Sequence, residues 1–316
     1  MNDLSKPAQP SYEVVASGLR FPEGPISLRD GTYLVVEIER GCLTRISGSG
    51  AADPVAFLGG SPNGAAIGPD GQCYVCNSGG FEWHRDAEGL RPLHQANDYS
   101  GGRIERVDLA TGAVEVLYSA SDRGPLRGPN DLVFDRQGGF WFTDTGKNRL
   151  RDMDRGGVYY ATADGRSITE VIHPMLSPNG IGLSPAEDRL YVAETVTGRL
   201  WTFDIVAPGR IERRPWPSVN GGSLVVGLPG FQLFDSLAVE RDGSICAATL
   251  FNGGISVVSS DGSRVEHVAL PDRFVTNICF GGPDLRTAFV TLGQTGKLVS
   301  LAWPRPGLKL NFSDVA

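Results

Sequence analysis

Six stretches of this chain follow one pattern at one phase, and that repetition restricts the possible folds more than any other feature. They are PEGPISLRDGTYLVVE from Pro22, PNGAAIGPDGQCYVCN from Pro62, PNDLVFDRQGGFWFTD from Pro129, PNGIGLSPAEDRLYVAE from Pro178, FDSLAVERDGSICAAT from Phe234 and VTNICFGGPDLRTAFVT from Val275. Each reads as two short strands rich in β-branched and aromatic residues, joined by a turn that often carries Asp-Gly. A third strand follows, as in GGRIERVD, GGVYYAT or GRLWTFD. No long stretch shows a helical period. Six such sheets arranged radially make an all-β fold, a six-bladed β-propeller, in which the first strand of each blade lines a central channel.

The repeats begin at residues 22, 62, 129, 178, 234 and 275, and a blade needs about 40–50 residues. The excess falls in loops predicted at 78–101, 145–156 and 217–233. The whole chain, 1–316, reads as one propeller domain: the first ~11 residues form a flexible tail, and YEVVASG supplies the outer strand of the last blade.

Hairpins of constant length place equivalent residues at equal height. The second residue of each repeat is Glu23, Asn63, Asn130, Asn179, Asp235 or Thr276. Fourteen or fifteen residues later, at the end of the returning strand, come Glu37, Asn77, Asp144, Glu194, Thr249 and Thr291. Antiparallel pairing brings both rows to one edge, so all twelve face one end of the molecule. The first row holds oxygen donors only, with two carboxylates and no sulfur or imidazole. That set suits a hard cation such as calcium, whereas zinc prefers His and Cys and magnesium demands stricter geometry. The alternative is that Asn and Asp begin strands by bonding local backbone, which a single residue often does and five in phase do less readily.

Other classes are disfavoured. Lys and Arg number 29 against 36 Asp and Glu, a net charge of −7 without a basic stripe, which argues against nucleic acid. The N-terminus lacks the charged-then-apolar pattern of a secretory signal, and no apolar run is long enough for a membrane helix. Five cysteines, an odd number, do not form a disulfide framework, and a cytoplasmic setting is expected. Cys73 and Cys76 lie three apart in a strand and point to opposite faces, so this CxxC reads as structural. There is no GxSxG elbow and no HExxH motif, and His84, His94, His173 and His267 have no partner motif.

The motifs FPEGP at Glu23, RGPNDLVFD at Asn130, SPNGIGLS at Asn179 and FDSLAV at Asp235 resemble those of the gluconolactonase, senescence marker protein (regucalcin) and luciferin-regenerating enzyme family. The likeness runs from about residue 13 to residue 301, with the motifs in family order. It implies that Glu23, Asn179 and Asp235 bind a divalent cation directly, most simply calcium, with magnesium, manganese or zinc as alternatives. Asn130 corresponds to a family residue that binds metal in some members and substrate or water in others. Animal sugar lactonases carry an Arg-x-Asn substrate clamp, whereas here Arg127 precedes Asn130 by three, which puts its substrate role in doubt. FDSLAV also departs from the Asp-Gly of many members, which leaves Asp235 usable as a ligand.

The chemistry that follows is hydrolysis of a small-molecule lactone. A cation polarises the ester carbonyl, Asp235 is the candidate general base, Glu23 carries charge to the metal, and Asn130 and Asn179 position substrate and ion. Asn63 is expected as a wall residue of the substrate pocket. Asp144 and Glu194 either orient the ligands or cap the blades. Sugar lactones are the family default, while Phe81, Trp83 and Tyr99 in the 78–101 insertion favour something less polar. The alternatives are hydrolysis of another ester or a phosphorus ester, and a non-catalytic propeller that binds calcium or another ligand. The sequence is silent on oligomeric state.

Overall fold

The computed structural model describes residues 10–313, and the expected N-terminal tail falls largely outside them. Six antiparallel sheets stand around one axis. Blade 1 is Pro22–Ser27, Tyr33–Glu37, Cys42–Ile46 and Ala52–Phe57, and blade 2 is Pro62–Ile67, Cys73–Asn77, Arg103–Val107 and Val114–Tyr118. Blade 3 runs from Pro129–Phe134 through Gly139–Asp144 and Gly156–Thr162 to Ile168–Met175. Blade 4 begins with Pro178–Leu183, Arg189–Glu194 and Arg199–Ala207. Blade 5 is Leu233–Val239, Ile245–Leu250, Gly254–Val258 and Val265–Ala269. Blade 6 is Val275–Gly281, Thr287–Leu292 and Lys297–Ala302, closed by the N-terminal strand Glu13–Ser17. The first and last strands thus share one sheet, as YEVVASG led us to expect.

Among the described residues no helix is long and apolar enough to cross a membrane. Two of the predicted loops contain strands of their own. Residues 78–101 hold a two-stranded ribbon, Phe81–Asp86 paired with Gly89–Gln95. Within 217–233, Ser223–Gly227 pairs with Arg199–Ala207 and forms the upper half of blade 4's outer edge, while Arg210–Glu212 forms the lower half. The β-branched pair Val225-Val226 explains why this stretch joins the sheet.

Burial follows the period of two in the middle strands. In blade 4, Tyr191 and Ala193 pack toward blade 5, while Leu190 and Val192 pack toward blade 3. The same alternation sends Cys73 into the blade 1–2 interface and Cys76 into the blade 2–3 interface, so the CxxC is split between two cores. All five cysteines are free. Six apolar clusters result, one per blade interface, so each blade is held by its two neighbours.

One regularity was not foreseen. In all six blades the pairing of the first strand with the second is irregular at the first-row position or just after it, as between Pro129 and Leu132 or Pro178 and Ile181. A bulge re-aims consecutive side chains, and here it recurs around the axis. The crowding of first strands accounts for it: a Cβ on Gly64 would lie 2.6 Å from the Asn130 carbonyl oxygen, and one on Gly180 2.6 Å from the Leu237 nitrogen.

Candidate active site

The bulge divides the channel. Side chains of the first row line a small cavity of about 140 Å³ at one end. Their successors Gly24, Asp131 and Asn277 line a chamber of about 1070 Å³ that opens at the other end. All six first-row residues meet in the small cavity: Glu23, Asn63, Asn130, Asn179, Asp235 and Thr276. No Lys, Arg or His is among its lining residues.

The polar atoms of this floor are unevenly satisfied. Asn179 Nδ2 donates to Asp235 Oδ1 at 2.6 Å, and Ser236 Oγ approaches Asn179 Oδ1 at 3.4 Å. Asn277 Nδ2 donates to Glu23 Oε2 at 2.8 Å, and the Gly24 amide donates to the same oxygen. Thr276 Oγ1 donates to the Pro22 carbonyl at 2.8 Å and so ties blade 6 to blade 1. By contrast, Glu23 Oε1 and Asn130 Oδ1 are buried without any hydrogen-bond partner among the described residues. Such orphaned acceptors are rare and demand an explanation.

Charge sharpens the point. Glu23, Asp131 and Asp235 sit deep around the axis and feel one another. Burial pushes the Glu23 carboxyl well above the usual carboxylate range, and repulsion from Asp235 and Asp131 adds to it. Asp131 and Asp235 are each pushed up to about 7, burial again being the main cause. Part of Asp235's surface meets the cavity, yet its carboxyl is surrounded by protein atoms on its other sides. Three buried carboxylates without a cationic partner are a costly arrangement unless protons or a cation neutralise them. Among the described residues no group of three or more His, Cys, Asp or Glu forms a metal cluster by itself. A cation at this floor would have to draw on amide oxygens as well as carboxylates, and Glu23 Oε1 and Asn130 Oδ1 are acceptors left without a partner among the described residues.

The second row does different work. Glu37 accepts from the Arg20 amide at 2.8 Å and Asn77 Oδ1 from the Ser61 amide at 3.0 Å. Asp144 accepts from the Arg127 and Gly128 amides, both at 2.7 Å, and Glu194 from the Leu176 amide at 2.7 Å. Each holds the segment that leads into the first strand of its own blade, so Asp144 and Glu194 cap the blades, and neither is hydrogen-bonded to a floor side chain among the described residues. Arg127 is exposed and does not line the small cavity; Asn63 does line it. None of His84, His94, His173 and His267 lines it.

Four residues that matter here escaped the sequence reading. Asp131, Ser236 and Asn277 follow first-row positions directly, and strict strand alternation would turn them away from the axis. Lys147 belongs to the 145–156 loop and is almost fully buried. Its Nζ donates to the carbonyls of Ser78 at 2.9 Å and Gly80 at 2.8 Å and lies 3.9 Å from the centre of the Phe81 ring. Burial lowers this amine to about 7, against the pull of Asp144 and Asp154. Lys147 thereby fastens the base of the ribbon whose Phe81, Trp83 and Pro92 overhang the floor.

Comparison with known proteins bears on this arrangement. The family model described as the SMP-30/Gluconolactonase/LRE-like region matches residues 21–294. The lactonase drp35 of Staphylococcus saprophyticus is 30% identical over 268 residues, covering 84% of this chain and 74% of its own length. The gluconolactonase of Zymomonas mobilis is 26% identical over 308 residues, covering 88% of this chain and 77% of its own. Among solved structures, a gluconolactonase of Xanthomonas campestris superimposes with a TM-score of 0.72 at 22% identity, covering 92% of this chain and 89% of its own. Regucalcin of Agrobacterium tumefaciens, described as a calcium-binding protein, also gives 0.72, at 19% identity and 95% and 98% coverage. At those identities the two structures speak to the fold alone.

Proposed function

The chain belongs to the SMP-30/gluconolactonase/LRE-like family, and from that premise we propose that it is a metal-dependent lactonase, opening a cyclic ester to the hydroxy acid at the floor of the small cavity. The observation that carries this is the floor itself: Glu23 Oε1 and Asn130 Oδ1 are buried and unpartnered beside Asp235, with no cationic side chain in the lining. A divalent cation held by Glu23, Asn179, Asp235 and Asn130, calcium by preference for an all-oxygen set, supplies the Lewis acidity that polarises the lactone carbonyl.

The remaining work belongs to the side chains. Asp235 Oδ1 is engaged by Asn179, which fixes the orientation of the carboxylate. Oδ2 accepts no hydrogen bond from the described residues, and it takes the proton of a water as that water's oxygen adds to the carbonyl carbon. The ring C–O bond then breaks, and the departing alkoxide recovers the proton from Asp235, so the products are a hydroxyl and, on the same chain, a carboxylic acid that gives its remaining proton to solvent. Asn130 and Asn63 border the space left for the lactone ring, and the apolar overhang keeps bulk water from the reacting bond.

The reading is tested by following acid release from simple lactones with the protein as purified, after chelator, and after calcium is restored. Turnover lost with chelator and regained with calcium is the expected result. Lactone hydrolysis indifferent to chelator would remove the metal from the mechanism.

A further inference from the structure

We propose that the preferred substrate is a lactone bearing an alkyl or aryl substituent rather than a polyhydroxylated sugar lactone; the proposal rests on the lactonase reading and adds the substrate class. The observation is an arc of aromatic rings around one side of the mouth. Phe231 meets Phe251 at 4.9 Å between ring centres, Phe251 meets Phe274 at 5.5 Å, and Phe274 meets Phe21 at 6.0 Å. Phe21 meets Trp83 at 5.3 Å, and Trp83 meets Phe81 at 6.4 Å. Six rings from five segments of the chain, Phe81 and Trp83 sharing one strand of the ribbon, thus run continuously from the outer surface, where Phe231 is 76% and Phe251 41% exposed, to the wall of the small cavity.

The position of the arc follows from the repeat. Two residues before each first-row side chain, at the entry to the first strand, stand Phe21, Ser61, Gly128, Ser177, Leu233 and Phe274. Blades 2, 3 and 4 keep this level small, while blades 5, 6 and 1 fill it with large apolar side chains. The mouth is therefore lopsided, open on one side and walled on the other. Phe21 and Phe251 hold positive φ, 55° and 66°, a region that bulky residues seldom adopt. The Phe251 amide is held there by the Arg273 carbonyl at 2.6 Å. The polar atoms of the cavity lie on its floor, where the ester group goes. A sugar ring would set its hydroxyls against this wall without partners, whereas an alkyl or aryl substituent gains from leaving water there. A contiguous aromatic wall beside a polar floor, exposed at its outer end, is what a ligand with one ester end and one apolar end requires.

The test compares δ-decalactone with glucono-δ-lactone on the calcium-loaded protein. Expected is a kcat/KM at least about tenfold higher for the alkyl lactone, with that preference falling severalfold in Phe251→Ala and Phe274→Ser. Equal or higher kcat/KM for the sugar lactone would overturn the proposal. So would an alkyl preference that both variants leave intact. If neither lactone turns over, the lactonase reading fails, and calorimetry with the two matching δ-lactams, which keep ring and carbonyl but resist hydrolysis, decides the substrate class separately. Tighter binding of the alkyl lactam, weakened in Phe251→Ala, supports the arc; equal or weaker binding than the hydroxylated lactam refutes it.

Discussion

The two ends of the central channel differ in size and in chemistry in opposite senses. The far chamber encloses about 1070 Å³ and the first-row cavity about 140 Å³, yet the orphaned acceptors of the axis face the smaller space. Toward the outside of the far chamber polar groups pair with one another: Arg136 lies 3.0 Å from Glu187, and Asn311 Nδ2 donates to Glu187 at 2.7 Å and to the Phe134 carbonyl at 3.1 Å. The C-terminal segment crosses that end, with the Leu308 amide on the Val239 carbonyl and Phe312 edge-on to Phe134. The outer part of the far chamber is finished by the chain itself, whereas the first-row cavity is left with the unmet acceptors, and the buried carboxylates lie between the two, Asp131 on the chamber side and Glu23 and Asp235 on the cavity side. Volume is thus a poor guide to chemistry here, and satisfaction of polar atoms a better one.

Substitutions that act at one end only break or sharpen this contrast. The largest effect is expected from Asp235→Asn, which should lower lactone turnover about 1000-fold while calorimetry still detects weakened calcium binding. Near-normal turnover would exclude Asp235 as the base.

A second effect follows from the buried charge. Glu23, Asp131 and Asp235 all titrate above their usual range when folded, the two aspartates at about 7, whereas unfolded carboxyls titrate near ~4. These three groups then hold more protons in the native protein than in the unfolded chain across that interval. Their stability contribution is full below the unfolded range and is lost as pH rises through about 7. In chelator the Tm should therefore fall between pH 5 and pH 8, and calcium should restore most of the loss at the higher pH. A Tm that rises with pH in chelator would contradict this account.

Smaller is the expected effect of Lys147→Met. It removes the clamp on the Ser78 and Gly80 carbonyls, loosens the ribbon, and should raise KM severalfold with kcat little changed. An unchanged KM with reduced kcat would mean that Lys147 acts on the floor rather than on the wall. Smallest is Arg136→Ala in the far chamber, where stability should move by no more than about 0.5 kcal/mol and turnover not at all. A marked loss of turnover there would couple the two ends and undo the contrast.

Much of this site was legible beforehand because hairpin length is a local property. Turn chemistry at Asp30, Asp70 and Asp242 sets where each first strand ends, and counting back aligned Glu23, Asn63 and Asp235. The pairing bears out the count, since Pro22 faces Glu37, Pro62 faces Asn77, Pro129 faces Asp144 and Pro178 faces Glu194. Asp131 was missed for the complementary reason: the bulge that turns it to the axis comes from six strands crowding together, which no single repeat reveals. Lys147 was missed because its carbonyl partners lie 67 and 69 residues away.

The repeat alone therefore determined the architecture and the height of the oxygen-bearing ring, because strand period and turn chemistry act over a few residues and do not depend on the rest of the chain. Which atoms of that ring stay unsatisfied, how burial around the axis raises the carboxylates' affinity for protons, and how rings from separate segments join into one wall were decided only by the closed propeller. Those are distances between residues remote in the chain, and closure of the blades around the axis is what brings them together.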